Sequence, residues 1–380
     1  MRICIYTESA LPMLGGQELV VDALARQFLQ KGHEPLVLAP PPRSPLTADD
    51  ARLPYPVVRH PRFVSTRRLV EWYQWSLSRL HRRFPFDVLH CHSVFPTGYL
   101  GVLTRARLGV PVVITSHGGD VAASNHRLKK PGVMERNVRA LAGADALIAI
   151  SRFTREGYQR LLPSAAPIRS IPNGVSTLEF TRPAERPLDL SADIRPGEYF
   201  LFIGRLSNRK GVDVLVDALA EIPASRRPQI VLAGIGEEQA ALEQKVAERG
   251  LADKARFVGR VVGRTKNYLL QNSIATVIPS RDWEAFPLVV LESYAAGRPV
   301  IASQIPGLED LVEPGSTGWL VPSEAPVELA QALSEALDDR SRTDRLGRTA
   351  RDHARHYDWS AVADRHLELF DELLSRRAAA

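Results

Sequence analysis

The sequence predicts an α/β protein made of two doubly wound parallel-sheet domains in tandem. Three observations predict it. Short apolar runs rich in β-branched residues recur along the chain, each divided from the next by a segment of helical period, which is the signature of strands buried on both faces. These runs fall into two sets, separated by TRPAERPLDLSADIRPG (181–197), a stretch with three prolines and no periodicity that reads as a linker. At 380 residues the chain also exceeds one ordinary core, since ~150 residues per domain gives roughly two to three domains.

The first set opens with RICIY (2–6), a helical QELVVDALARQFLQKG and PLVLA (35–39). DVLHC (87–91), PVVIT (111–115), ALIAI (146–150) and IRSIP (168–172) complete it. The second set is YFLFIG (199–204), QIVLAG (229–234), ARFVG (255–259), ATVIPS (275–280) and PVIAS (299–303). Residues 1–185 and 190–357 are thus expected as the two domains, with ligands at the carboxyl ends of the strands. The last segment, 358–377, reads as an amphipathic helix with Ala363, Leu367, Phe370, Leu373 and Leu374 on one face, and by pattern alone closes the second domain.

Composition excludes several classes. With 44% hydrophobic and 24% charged residues the chain is globular rather than disordered or fibrous. No apolar run approaches the ~18 residues that span a bilayer. The apolar core of MRICIYTESALP is too short for a signal peptide, and Cys4 and Cys91 lie in strand-like runs, so a cytoplasmic, reducing location without a disulfide framework is expected. Residues 1–186 carry 25 Lys and Arg against 14 Asp and Glu, whereas residues 187–380 carry 24 against 29. A basic half beside an acidic half points to an anionic partner for the first; the plainer reading is arginine decorating a solvated surface.

Two segments carry candidate chemistry. FIGRLSNRKGVDVLVDALA (202–220) places Arg205 and Lys210 on a strand-to-helix loop, where two cations and free backbone amides suit a diphosphate. It lacks the Walker order, and GIGEEQ (234–239) does not complete a dinucleotide fingerprint. In SRDWEAFPLVVLESYAAGRPV (280–300), Glu284 and Glu292 bracket a second strand-to-helix turn, with Pro287 expected in the first helical turn. Each carboxylate can accept two hydrogen bonds from vicinal hydroxyls, and the amides at Phe286, Leu288 and Val289 can meet an anion. His90, Cys91 and His92 share a strand, so only the two histidines face the same way, and a structural role is preferred to metal ligation.

The chain resembles the family-4 retaining glycosyltransferases over nearly its whole length. The resemblance rests on Gly15-Gly16-Gln17-Glu18, Asp87 to His92, VVITSHGGD (112–120) around His117, IPNGV (171–175), the Gly-Arg-Leu…Lys-Gly loop (204–211) and Glu284-x7-Glu292, in the family's order and spacing. It departs from the pattern at Ala285, where glycine is usual, and at Ser176, where aspartate is usual.

The resemblance implies the GT-B fold, two Rossmann-like domains facing across a deep cleft, with helix 358–380 crossing back to the first domain. It implies that the first domain is the acceptor side and the second binds a nucleotide-diphosphate sugar, UDP or GDP being unresolved. Arg205 and Lys210 would hold the diphosphate, and Glu292 the ribose. Glu284 would orient the sugar with the backbone at Ala285, Phe286, Leu288 and Val289. Gly15 and Gly16 would let backbone amides approach closely, and His117 would contact the donor sugar at its carbon-6 hydroxyl. Catalysis would be retaining, by same-face attack with Glu284 positioning rather than attacking. No cofactor and no metal are expected, since no Asp-x-Asp occurs. The partners implied are the donor and a glycan, lipid-linked or small-molecule acceptor, with no nucleic acid.

RFVSTRRLVEWYQWSLSRLHRRF (62–84) points to an anionic membrane surface as a further partner. It sets Arg62, Arg67, Arg68, Arg79, Arg82 and Arg83 among Trp72, Tyr73 and Trp75, which suits peripheral attachment at the inner face of a membrane. The alternative is a packed helix with Trp72 or Trp75 in the core. At the level of function, the alternatives are another GT-B enzyme, such as a sugar-nucleotide epimerase or a phosphorylase, or a non-catalytic nucleotide- or glycan-binding protein.

Overall fold

The computed structural model describes residues 1–43, 49–62, 67–130, 132–164 and 166–379. These divide into two compact units: unit 1 is Met1–Asn173 with Trp359–Ala380, and unit 2 is Gly174–Asp358.

Unit 1 holds a seven-stranded sheet of β1 (Arg2–Thr7), β2 (Glu34–Ala39), β3 (Val57–Arg59), β4 (Val88–His92), β5 (Val112–Thr115), β6 (Ala146–Ala149) and β7 (Ile168–Ser170). Their order is β3-β2-β1-β4-β5-β6-β7, and every neighbouring pair is parallel. The helices are α1 (Gly16–Gln30), α2 (Arg67–Arg83), α3 (Tyr99–Leu108), α4 (Val133–Gly143) and α5 (Arg152–Leu161). The unalternated runs are explained by burial, since every residue of β4, β5 and β6 is buried.

Unit 2 repeats the plan with six strands: β8 (Tyr199–Ile203), β9 (Gln229–Ala233), β10 (Ala255–Gly259), β11 (Thr276–Ile278), β12 (Val300–Ser303) and β13 (Gly318–Val321). Their order is β10-β9-β8-β11-β12-β13, again all parallel. Its helices are α6 (Val212–Glu221), α7 (Gln239–Glu248), α8 (Gly263–Asn272), α9 (Leu288–Ala295), α10 (Pro326–Asp338) and α11 (Arg340–Ala354). β3 and β13, which the sequence pattern misses, are short edge strands at one end of each sheet. An edge strand needs less continuous apolar character than a central one, so its signal is weaker.

The proline-rich stretch 181–197 packs on unit 2 instead of bridging the units. The Ala184 amide donates to Gln271 Oε1 at 2.6 Å, the Arg186 guanidinium to the Ile194 carbonyl at 2.8 Å, and the Gly197 amide to the Asn272 carbonyl at 2.7 Å. Without periodicity the segment satisfies its backbone on the end of α8, and the chain passes between units earlier, at 173/174.

The final helix α12 (Trp359–Ala378) packs on α1 within unit 1. It buries Ala363, Leu367, Phe370 and Leu373, as its apolar stripe predicts, together with His366. Lys31 bonds Asp364 at 2.8 Å and Ser360 at 2.9 Å, and Arg169 bonds Glu372 at 2.7 Å.

Candidate active site

In unit 2 the strand order reverses between β8 and β11, and a doubly wound sheet offers a ligand crevice beyond the carboxyl ends of strands at such a point. The loops leaving those two strands carry Arg205 and Lys210 on one side and Glu284 on the other. Two glycines let the backbones meet there. Gly211 has φ +62°, and a Cβ on it would lie 2.0 Å from the Pro279 carbonyl oxygen. Gly307 has φ +86°, and its Cβ would lie 1.6 Å from the Glu284 carbonyl oxygen. Only glycine fits both the positive φ and the contact. Arg281 ties the loops further: its amide donates to the Arg209 carbonyl at 2.9 Å, and its guanidinium to the Asn208 carbonyl at 2.6 Å and to both oxygens of Asp213 at 2.8 and 2.6 Å.

Glu284 is 5% exposed. Its Oε1 accepts from Lys210 Nζ at 2.6 Å and Ser280 Oγ at 2.7 Å, with Arg209 at 3.7 Å. Burial alone would raise its pKa, but the charges of Lys210 and Arg209 outweigh it and hold the carboxyl below its ordinary value. Arg209 also stacks over Trp283, 4.7 Å from the ring centroid, and donates to its carbonyl. Arg205, by contrast, is exposed on its loop and makes no side-chain hydrogen bond or ion pair among the described residues. The second cation beside Glu284 is therefore Arg209, which sequence reasoning passed over; its place next to Lys210 was the available signal.

Glu292 lies within α9 and pairs with Lys266 of α8 at 2.6 Å, both side chains mostly buried. Lys266 is a second residue that no motif indicated, because it comes from a different helix. Ala285 and Phe286 are buried, while Leu288 and Val289 are partly buried in the first turn of α9. Pro287 stands one place before that turn, as the N-cap with φ −74° and ψ 107°, so the helix starts at Leu288.

In unit 1 the order reverses between β1 and β4, and a cavity of about 560 Å³ lies at the corresponding strand ends. Thr7, Ser93, His117 and Asp120 line it from the ends of β1, β4 and β5, and Arg43, Arg62 and Lys130 bring positive charge to it. Asp120 is already engaged: one oxygen accepts from Ser116 Oγ, the other from the Val94 amide. Gly15 caps α1 in an extended conformation, φ −163°, and a Cβ on Gly16 would meet nothing within 4 Å, so neither glycine is required by backbone strain.

His117 sits in the wall of this cavity with its Nε2 at 2.9 Å from Nδ1 of His92. His90 Nε2 lies 2.8 Å from Thr115 Oγ1. Burial lowers the pKa of His90, His92 and His117, that of His117 to about 4, so all three are neutral near pH 7. Among the described residues no group of three or more His, Cys, Asp or Glu side chains is placed to hold a metal ion.

On α2, Tyr73 and Leu77 fill the core, whereas Trp72 and Trp75 are 38% and 47% exposed, so the alternative that placed one of the tryptophans in the core is not met. Arg79 lies 5.3 Å from the Trp75 ring centroid, and Arg82 and Arg83 are exposed. The side chains of Arg67 and Arg68 lie outside the described residues. No helix among the described residues is long and apolar enough to cross a membrane.

Comparison with known proteins bears on both units. Residues 14–178 match the family model described as Glycosyltransferase Family 4, and residues 193–353 match Glycosyl transferases group 1. A D-inositol 3-phosphate glycosyltransferase from Thermobispora bispora is 34% identical over 313 residues, covering 77% of this chain and 72% of that protein. A phosphatidyl-myo-inositol mannosyltransferase from Mycolicibacterium smegmatis is 30% identical over 388 residues, covering 98% and 94%. Among solved structures, a sucrose-phosphate synthase from Thermosynechococcus elongatus superposes with a TM-score of 0.80 at 26% identity, covering 99% of both chains. Anabaena HepE in complex with UDP superposes with a TM-score of 0.82 at 21% identity, covering 98% of this chain and 100% of that one. With two parallel Rossmann-like sheets and these relatives, the chain belongs to the family-4, group 1 glycosyltransferases of the GT-B fold, and its chemistry is glycosyl transfer.

Proposed function

We propose that the enzyme moves a hexose from a nucleotide-diphosphate sugar, with retention and without a metal ion, to a glycan, lipid-linked or small-molecule acceptor, a phosphate-bearing polyol being the favoured class. The observation that carries this reading is the Lys210–Glu284 pair at the switch point of unit 2. In it, Arg205 and Lys210 hold the diphosphate and stabilise it as it leaves, supplying from side chains the positive charge that a metal would otherwise bring. Glu292 takes the ribose hydroxyls. Glu284 orients the sugar, with the backbone of Ala285, Phe286, Leu288 and Val289. His117 contacts a substrate hydroxyl, and Gly15 and Gly16 leave the start of α1 open to close approach.

Two features favour retention by same-face attack over a carboxylate nucleophile. Glu284 accepts two hydrogen bonds on Oε1 and is held as a stable anion by its cations, which lowers its nucleophilicity. The positively charged loop beside it favours loss of the diphosphate, whose oxygen then takes the acceptor's proton. The acceptor class is supported by the names of the two inositol-linked relatives and by Arg43, Arg62 and Lys130 at the unit 1 cavity. Trp72, Trp75, Arg79, Arg82 and Arg83 of α2 support attachment to an anionic membrane surface at its cytoplasmic face. The test is a panel of UDP-, GDP- and ADP-sugars scored for binding and hydrolysis. One donor should bind and hydrolyse slowly; no response to any would defeat the reading.

A further inference from the structure

The hydrogen bond between the paired histidines at the cavity of unit 1 has a direction fixed by what surrounds His92. One proton lies between His92 Nδ1 and His117 Nε2, 2.9 Å apart. If His117 owned it, neutral His92 would carry its own proton on Nε2. That atom is buried and has no hydrogen-bond partner. A buried N–H without an acceptor is rarer and costlier than a buried ring nitrogen whose lone pair goes unused. The proton therefore belongs to His92 Nδ1, which donates to His117 Nε2. Neutral His117 must then carry its own proton on Nδ1, the ring nitrogen that makes no hydrogen bond among the described residues.

We propose that His92 is a positioning residue that fixes His117 as the Nδ1–H tautomer, so that His117 presents a hydrogen-bond donor to an oxygen of the substrate bound in the unit 1 cavity. The inference rests on the reading of that cavity as a substrate site. It gives a function to the second histidine of the Asp-Val-Leu-His-x-His run, which no substrate role explains. His92 is itself braced in place. Gln17 Nε2 donates to its carbonyl at 2.8 Å and to Thr7 Oγ1 at 2.8 Å, joining α1 to the ends of β1 and β4. The His90 ring lies tilted against it, at 52° with ring centroids 4.3 Å apart, limiting rotation of the imidazole. A donor at Nδ1 also means that His117 is not the base that deprotonates an acceptor hydroxyl. It binds an oxygen lone pair, which suits a sugar hydroxyl, a ring oxygen or a phosphate oxygen.

The test is long-range nitrogen–proton NMR on the full chain labelled with 15N-histidine at pH 7.5, with His117 assigned by the signal lost in His117→Gln. The expected pattern is a protonated Nδ1 and a bare Nε2 for His117. The reverse pattern in the wild-type protein overturns the proposal. His92→Phe should populate the Nε2–H tautomer of His117 and lower kcat about tenfold or more. His92→Asn, whose side-chain amide can replace the Nδ1–H donor, should restore both in part. A His117 tautomer unchanged in folded His92→Phe also overturns it. The tautomer is read without substrate, so it stands or falls apart from the donor panel, which tests the proposed function.

Discussion

Lys210 Nζ lies 2.6 Å from Oε1 of Glu284, joining the loop after β8 to the loop after β11 where the strand order of unit 2 reverses. The pair is a mostly buried one, and its carboxylate has further partners in Ser280 and Arg209. Removing one member leaves the other buried without its full complement of charge. Lys210→Ala should lower kcat/KM by ~10²–10³, as expected for a group that stabilises developing charge. Glu284→Gln keeps the shape and loses the charge, and should lower kcat by a similar factor. Near-wild-type turnover in Glu284→Gln would remove it from the mechanism.

Lys266 should act differently. It holds Oε1 of Glu292, and in the proposed ribose role Oε2 is the atom left for a hydroxyl. A contact to the non-reacting ribose is made equally in ground and transition states. Lys266→Met should therefore raise KM for the donor about tenfold with little change in kcat. Steady-state kinetics on the donor identified by the panel checks the split; a loss confined to kcat would contradict it.

Gly211 tests the loop junction. Alanine there meets a left-handed φ, costing ~1–2 kcal/mol, and a carbonyl oxygen 2.0 Å from its Cβ, adding about 1–3 kcal/mol of overpacking. At ~2–4 °C per kcal/mol, calorimetry of Gly211→Ala should show Tm lower by about 4–20 °C. Gly16→Ala, where the added carbon meets nothing, should leave Tm unchanged.

Unit 1 should be sensitive to mild acid. Burial depresses the pKa of His90, His92, His117 and His366, the last two to about 4. Between about pH 4 and the unfolded value near 6.5, the unfolded chain binds protons that the folded chain refuses, so stability rises with pH across that window. The contribution is complete above about pH 6.5 and is lost as pH falls toward 4. Urea midpoints at pH 7.5, 6 and 5 should fall in that order. The depressed carboxyls of unit 2, Asp213 and Glu284, add acid lability only below their own unfolded range, near pH 4. A flat midpoint from pH 7.5 to 5 would contradict the buried, neutral histidine cluster.

Treatment with EDTA should leave transfer intact if side-chain cations alone neutralise the leaving diphosphate. Activity lost in EDTA and restored by a divalent ion would replace that account. Binding to phosphatidylglycerol vesicles should weaken when Trp72 and Trp75 are changed to Ser, or Arg82 and Arg83 to Ser; binding unaffected by both pairs would return the basic charge to surface decoration.

Sequence patterns located the central strands because burial on both faces leaves a run such as VVIT no polar alternative. They missed β3 and β13, whose three and four residues lie at sheet edges. Lys210, Glu284 and Glu292 were legible because their motifs sit on loops and a helix directly after strands. Arg281 and Lys266 were not, because their contacts depend on which distant segment they reach. The bond from Arg281 to Asp213 spans 68 positions, and no periodicity reports it. His92 was visible as a motif residue, but its contact with His117 depends on the neighbouring registers of β4 and β5. The placement of 181–197 was misread for a related reason: proline content reports the absence of regular structure, not the absence of packing.

The most direct test is titration of the enzyme with UDP-, GDP- and ADP-sugars by calorimetry, wild type beside Lys210→Ala. One nucleotide sugar should bind the wild type, and Lys210→Ala should bind it at least tenfold more weakly. Binding of that sugar unchanged by the substitution, or binding of none, would contradict it.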